Sequence, residues 1–444
     1  MKRPIRLAAA VLAPVLTAGV LAAAPSAQAA PVTPLPSPAA QAASQWLAGQ
    51  LTNGLIHNNG YGGFDDYGLT VDTGLALIAT GTQPAALTTI TNALAANISN
   101  YVGDGTTSVY SGSTGKAAVF AKDAGRDPAS FGGRNLIAQL EGTVSTTAPI
   151  AGRIEDTSTY GDYANVLGQA WAVEALDRSG SAKSASATDF FLKQQCSEGY
   201  FRTYLTPEKS AVDQSCDGGK AASESDPSTD VTALAVITLS QHSKTPAVSA
   251  AIAKAKGWLT AAQAADGSWG GGAGTSTANS NSTGLATRAL SGSASAKRGV
   301  AWLTAHQATA NDGALAGEAG AIAYDDAVLA TARTAGIVGD TARDQWRRAT
   351  AQAALGVSAQ TPPLVSVRSA VVKRKKPIVI RSNSFQARER VVVRYKGKVV
   401  KRGKATKSGV FKARFRSGKK AGSFQVAVIG KQTGTTVFTV QVKR

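Results

Sequence analysis

Lys256-Gly257-Trp258-Leu259-Thr260-Ala261-Ala262-Gln263-Ala264-Ala265-Asp266-Gly267-Ser268-Trp269-Gly270 is the stretch that decides the fold of this chain. It reads as a helix, a Gly-rich turn closed by Trp269, and then a second helix opened by Asn281, Ser282 and Thr283. That second helix runs through Thr283-Gly284-Leu285-Ala286 to Ala289-Leu290. A helix pair of this size cannot bury its apolar face alone. Weaker copies recur along the chain, so they imply a closed or stacked helical array.

The copies are found by an aromatic-Leu pair followed by a Gln. Trp46-Leu47 with Gln50 opens the series, followed by Phe191-Leu192 with Gln195, Trp258-Leu259 with Gln263 and Trp302-Leu303 with Gln307. Degenerate versions fit around Ile98 to Tyr101 and Leu136 to Leu140. The second helix of each pair is small and apolar: Thr73 to Ala79, Thr114 to Ala121, Val166 to Leu176, Thr232 to Leu239, Thr283 to Leu290 and Ala327 to Ala335. Glycine costs about 1 kcal/mol in a helix interior relative to alanine, so its repeated use there points to close helix packing. Six pairs with small-residue second helices predict a mainly α fold, an (α/α)6 toroid with an inner and an outer ring. An open superhelical stack is the alternative.

Trp258, Leu259, Gln263, Gly267 and Trp269 fall at the spacing of the QW repeat, and the chain resembles the squalene–hopene cyclase and prenyltransferase families that carry it. Phe191, Leu192, Gln195, Gly199 and Phe201 make a near copy with one spacer residue missing. The resemblance covers about 300 residues, most specifically Asp189 to Ala335. It implies the toroid fold rather than an activity, since secreted cobalamin carriers similar to transcobalamin share that toroid. The Gln amide is expected to satisfy backbone groups at the turn while the Trp ring covers it.

The resembled cyclases use a DxDD acid motif followed by Thr-Ala. The matching segment here is Ser228-Thr229-Asp230-Val231-Thr232-Ala233. Asp230 stands where the acid stands, but Ser228 and Val231 replace the flanking carboxylates that would polarise its proton. The Asp-Cys-His zinc set of protein-prenylating relatives has no counterpart, nor does a Cys-Gly-Glu-Gln thioester string. No metal or cofactor is expected, and Gly60 to Gly63 is too irregular for a phosphate loop.

Acids gather near the predicted inner-helix starts: Asp72, Asp230, Asp325 and Asp326, with Asp162 ahead of another. Parallel inner helices would bring these to one rim, either as caps or as an acidic mouth for a cation or polar ligand. Tyr61, Phe64, Tyr67, Tyr160 and Tyr163 fall in segments that reach the same end. The expected function is binding of a small molecule or polymer at this mouth without catalysis. The alternatives are a terpene-cyclase-like enzyme using Asp230, a sugar-active hydrolase or lyase with paired carboxylates, and a cobalamin-type carrier.

Charge divides the chain. From Thr361 to Arg444, 23 Lys and Arg face one acid, Glu389, although the whole chain has a net charge of only +19. Apolar and polar residues alternate in Val391 to Tyr395, Val410 to Phe415, Phe424 to Ile429 and Val437 to Val442. With Leu364 to Arg368 and Pro377 to Arg381 they predict about six strands in a small antiparallel β-sandwich resembling bacterial Ig-like modules. Lys373, Arg374, Lys375, Lys376, Arg394, Lys412, Arg414 and Arg416 would face outward, toward a polyanion.

Lys2, Arg3 and Arg6, the apolar run Leu7 to Ala24 and Ala27-Gln28-Ala29 read as an export signal. The expected divisions are a signal over 1–29, a Pro-rich linker over 30–41, the toroid over 42–357 and the basic domain over 363–444. Outside a cell the polyanion would be anionic wall polymer or lipid head groups rather than nucleic acid. Cys196 and Cys216 are the two cysteines and, in an exported chain with no His nearby, are expected to pair. Closing that loop contributes about 3 kcal/mol.

Overall fold

The computed structural model describes residues 36–359, without 221–224 and 243–244, and residues 365–443, without 368–370, 383–384, 386–387, 408 and 431–433. The expected signal and most of the Pro-rich strip lie outside the described residues. The first helix begins at Pro38, inside the segment read as linker. Ser37 caps it by accepting from the Ala40 N–H, and Pro38 suits a first-turn position whose N–H needs no partner.

Helices α1 (Pro38–Ala48), α3 (Pro84–Ala96), α6 (Leu136–Thr143), α8 (Ser184–Leu192), α10 (Pro246–Ala261) and α12 (Ala294–Ala305) form an outer set. They alternate with α2 (Tyr67–Thr80), α5 (Ser111–Asp123), α7 (Val166–Arg178), α9 (Thr229–Gln241), α11 (Ser280–Ala289) and α14 (Asp340–Val357). Helix α2 packs on α5, α5 on α7, α7 on α9, α9 on α11, α11 on α14, and α14 returns to α2. The second set is thus a closed ring. The outer helix α1 lies against both α14 and α2, covering the seam between the last and first ring members.

Small side chains set the ring spacing. At Gly284 on α11 an added Cβ would stand 2.4 Å from the Gln352 carbonyl oxygen of α14, so only glycine permits this approach. The turn of the quoted repeat works as a clamp. Gln263 donates from Nε2 to the Gly267 and Ser295 carbonyls, both at 2.9 Å, and buried Trp269 donates from Nε1 to the Leu259 carbonyl at 2.8 Å. Gly267 has φ +100, and a Cβ there would meet the Arg298 carbonyl at 2.8 Å. Gln195 repeats the clamp onto Gly199 and Ala251 at 2.8 and 3.0 Å. Gln307 makes it onto Gly320 and, across the seam, onto Ala39 of α1 at 3.1 and 2.9 Å.

A second device recurs that sequence reading did not find. The Phe201, Trp269 and Ile322 N–H groups donate to the hydroxyls of Thr232, Thr283 and Thr350 on the following ring helices, at 2.9, 3.0 and 2.9 Å. Each threonine also sits deep in the fold.

Two helix assignments need correction. Ala327–Ala335 lies within α13 (Asp326–Ala335), which buries only Leu329 and Ala332 and packs on a 3-10 turn rather than in the ring. The ring position belongs to α14, which buries Trp346, Ala349, Thr350, Ala353 and Gly356. Its Arg343, Arg347 and Arg348 obscured it in the sequence; they reach out to Glu318, to the His57 carbonyl and to Asp66 and Asp344. Likewise the second outer helix is α3, while Ile98 to Tyr101 forms the short α4 (Ile98–Val102) after it. Helix α3 carries Thr88, Thr89 and Thr91 and no aromatic-Leu pair.

Among the described residues eight strands follow: β1 (Val365–Val367), β2 (Val371–Lys373), β3 (Pro377–Ser382), β4 (Arg390–Tyr395), β5 (Lys398–Lys404), β6 (Phe411–Arg416), β7 (Gly422–Gly430) and β8 (Gly434–Lys443). They form one sheet ordered β5-β4-β7-β8-β2 and another ordered β6-β3-β1. Pairing is antiparallel except between β8 and β2, which run parallel. Ile378, Ile380, Val393, Phe411, Phe415, Val426 and Val428 share one core. Strand β6 alternates strictly, with Phe411, Ala413 and Phe415 inward and Lys412, Arg414 and Arg416 outward. All eight basic residues expected to face a polyanion are exposed, with Arg394 on the other sheet from Lys412.

Candidate functional site

The helical ring encloses a cavity of about 600 Å³. Its lining follows α5 from Gly112 to Asp123, a span of about 16 Å at the helical rise. The middle is apolar, with Leu75, Val119, Trp171, Leu234, Ile237 and Leu285 contributed by five different ring helices. Small residues bring these helices close, while the larger side chains between them set the lumen.

Polar groups occupy the two ends. Toward the ring-helix starts, Lys116 pairs with Asp72 at 2.7 Å, beside the Tyr101 and Tyr110 rings. Burial penalises the Lys116 ammonium most, yet Asp72, Tyr101 and Asp66 together hold the group above its ordinary value. Burial pushes the Tyr101 phenol up. Toward the helix ends, Arg178 bridges Asp123 and Glu174 at 2.5 and 2.8 Å. Desolvation of buried Glu174 dominates this bridge and pushes its carboxyl up to about 7. Arg288 on α11 also lines this end, and burial alone pulls its guanidinium below its ordinary value.

The acids read as one mouth do not line one cavity: Asp72 borders the ring cavity, and Asp162, Asp325 and Asp326 do not. Asp72 lies in the second turn of α2, which Asp66 caps, and is held by Lys116. Asp162 is tied to Arg153 and Lys209 at 3.4 and 2.8 Å. Asp325 caps α13 by accepting from the Val328 N–H at 2.8 Å, and Asp326 meets His306 at 2.9 Å. The segment before Asp325 does reach a ring-helix start, where the Ser280 N–H of α11 donates to the Tyr324 carbonyl at 2.8 Å, but neither Asp325 nor Asp326 lines the ring cavity or the pocket at Asp230.

Of the aromatics, Tyr163 lines the cavity and is 70% exposed, and Tyr160 is exposed nearby in sequence. Phe64 is exposed, Tyr67 accepts from Asn100 at 3.0 Å, and the side chain of Tyr61 lies outside the described residues.

Asp230 occupies the first turn of α9, whose cap is Ser228. It opens on a separate pocket of about 200 Å³ lined by Tyr204, Asp226, Ser228, Gly271 and Gly272. Leu167 borders both this pocket and the ring cavity. Burial raises the Asp230 carboxyl, and its Oδ1 has no hydrogen-bond partner among the described residues.

Lys116, Glu174, Arg178 and Arg288 escaped the sequence reading. The available signal was a charge set inside an otherwise small and apolar ring helix, as in Val166-Leu167-Gly168-Gln169-Ala170-Trp171-Ala172-Val173-Glu174. Cys196 and Cys216 form the expected disulfide, packed with Tyr200 and Trp258. No helix is long and apolar enough to cross a membrane among the described residues.

No protein-family model and no curated protein matches the chain. Among solved structures it is similar to the type II terpene cyclase MstE from Scytonema in its apo form, with a TM-score of 0.50 and 15% identity over 72% of this chain and 96% of that one. It is also similar to a protein from Actinoplanes, with a TM-score of 0.46 and 18% identity over 72% and 98% of the two chains. The unsaturated glucuronyl hydrolase from Bacillus sp. GL1 has a TM-score of 0.47 and 12% identity over 71% and 94%. At such identity the likeness to the cyclase shows the fold alone, an α/α toroid.

Proposed function

We propose that this chain is an exported binding protein whose (α/α)6 toroid holds a small amphipathic molecule along its axis, without transforming it. The observation that carries the reading is the cavity of about 600 Å³, apolar at its middle and polar at its ends. Such volume and lining suit a small-molecule site. The basic sandwich, read as an Ig-like module, would retain the protein on anionic wall polymer or lipid head groups, with Lys412, Arg414 and Arg416 among the contacts. Titration of the full chain with dodecanol, followed by tryptophan fluorescence, tests the cavity. Saturable binding that disappears in Ile237→Trp is expected; no binding, or binding untouched by that filling substitution, would overturn the reading.

A second reading, a cyclase-like enzyme with Asp230 as acid, is favoured by the raised, partly unsatisfied carboxyl. It predicts a cyclised product from a polyprenyl alcohol that Asp230→Asn abolishes. Against it, Asp230 faces the smaller pocket, with Leu167 between that pocket and the ring cavity.

A further inference from the structure

The ring cavity has two chemically different halves. Helices α2, α5 and α7 contribute Asp72, Lys116, Asp123, Glu174 and Arg178, all of them in ion pairs. Helices α9, α11 and α14 contribute Leu234, Ile237, Gln241, Leu285, Gln352 and Leu355, and among these described lining residues the one charge is Arg288.

Arg288 is half-buried and has no side-chain hydrogen bond or ion pair among the described residues. Arg178, at the same end of the cavity, has two carboxylates. A guanidinium removed from water without a counter-charge is costly. Its place in the last turn of α11 offsets part of that cost through the helix dipole. The dipole explains a cation at that position, but it leaves the five N–H donors beside the cavity unfilled.

We propose, resting on the axial-cavity reading above, that Arg288 anchors the acidic head group of an amphiphile whose apolar tail lies along Leu285, Ile237 and Leu234. A carboxylate and a phosphate monoester present the same chemistry, two oxygens that accept from one planar fork. Gln241 and Gln352 flank the site as neutral donors that tolerate either head group. Among the described lining residues the paired half of the cavity offers such a head group no unpaired cation, so Arg288 fixes the orientation.

The experiment titrates the full chain by calorimetry with dodecanoate, dodecyl phosphate, dodecanol and dodecyltrimethylammonium. At least one anion should bind about ten-fold more tightly than dodecanol, the scale of a charge-assisted contact. Arg288→Met, which keeps much of the stem, should erase that preference, bringing the anions down to the affinity of dodecanol. Ile237→Trp should remove the site for all four, separating it from surface binding of anions to the basic sandwich.

Equal affinity for anions and dodecanol in the wild type would overturn the anchor while leaving the cavity reading intact. Retention of the anion preference in Arg288→Met would do the same. Absence of any saturable binding would overturn both. The wild-type head-group series decides the matter even where Arg288→Met fails to fold, which circular dichroism would reveal.

Discussion

At the scale of single residues, burial rather than pairing decides the ionisation of Glu174. Glu174 keeps an Arg178 partner at 2.8 Å, yet its carboxyl sits near 7 instead of 4.5 because it is almost wholly out of water. The folded chain therefore holds this proton more tightly than the unfolded chain. Stability falls by roughly 3 kcal/mol as pH rises through that window and levels off above it. Glu174→Gln should flatten this part of the stability curve, measured by urea unfolding across the window; an unchanged slope would assign the proton elsewhere.

Asp230 obeys the same sign, because its folded value is raised and its Oδ1 is unsatisfied. Asp230→Asn should raise the melting temperature near neutral pH. That gain should vanish in acid, where the wild-type carboxyl is already protonated. A melting temperature that falls at neutral pH would show that the carboxylate has a stabilising partner.

At the scale of elements, the hairpins are joined by clamps and the ring by backbone proximity. Gln263→Leu leaves the Gly267 and Ser295 carbonyls without their amide donor, at a cost of about 2 kcal/mol in denaturant unfolding. Gly284→Ala forces α11 away from α14 and should cost about 1–3 kcal/mol. Gly257→Ala is its control, because nothing lies near an added Cβ on that exposed face of α10; it should instead gain up to about 1 kcal/mol. Equal effects of the two glycine substitutions would refute helix approach as the reason for the small residues. The repeat was legible where an aromatic-Leu pair preceded Gln, and illegible in α3, whose packing uses Ile90, Thr91 and Leu94 without that pair.

At the scale of the molecule, an ion-pair-rich helical ring is followed by a basic sandwich. Full-chain co-sedimentation with phosphatidylglycerol vesicles should be strong at low salt and fall steeply at about 1 M, where screening acts within about 3 Å. Joint replacement of Lys412, Arg414 and Arg416 by Glu should weaken it at low salt. Salt-independent sedimentation would rule out an electrostatic attachment.

The sequence by itself determined the helical hairpin, the disulfide partners and the outward basic register of strands such as β6, because each depends on local spacing or composition. Only the tertiary structure decided that α14 completes the ring in place of α13, since the deciding contact joins Gly284 to a helix some 70 residues away. It alone parted Asp230 from the main cavity and left Arg288 facing that cavity without a partner among the described residues. Periodicity fixes which face of a helix is apolar, whereas the neighbour of that face, and the charges left unpaired beside it, follow from how the ring closes.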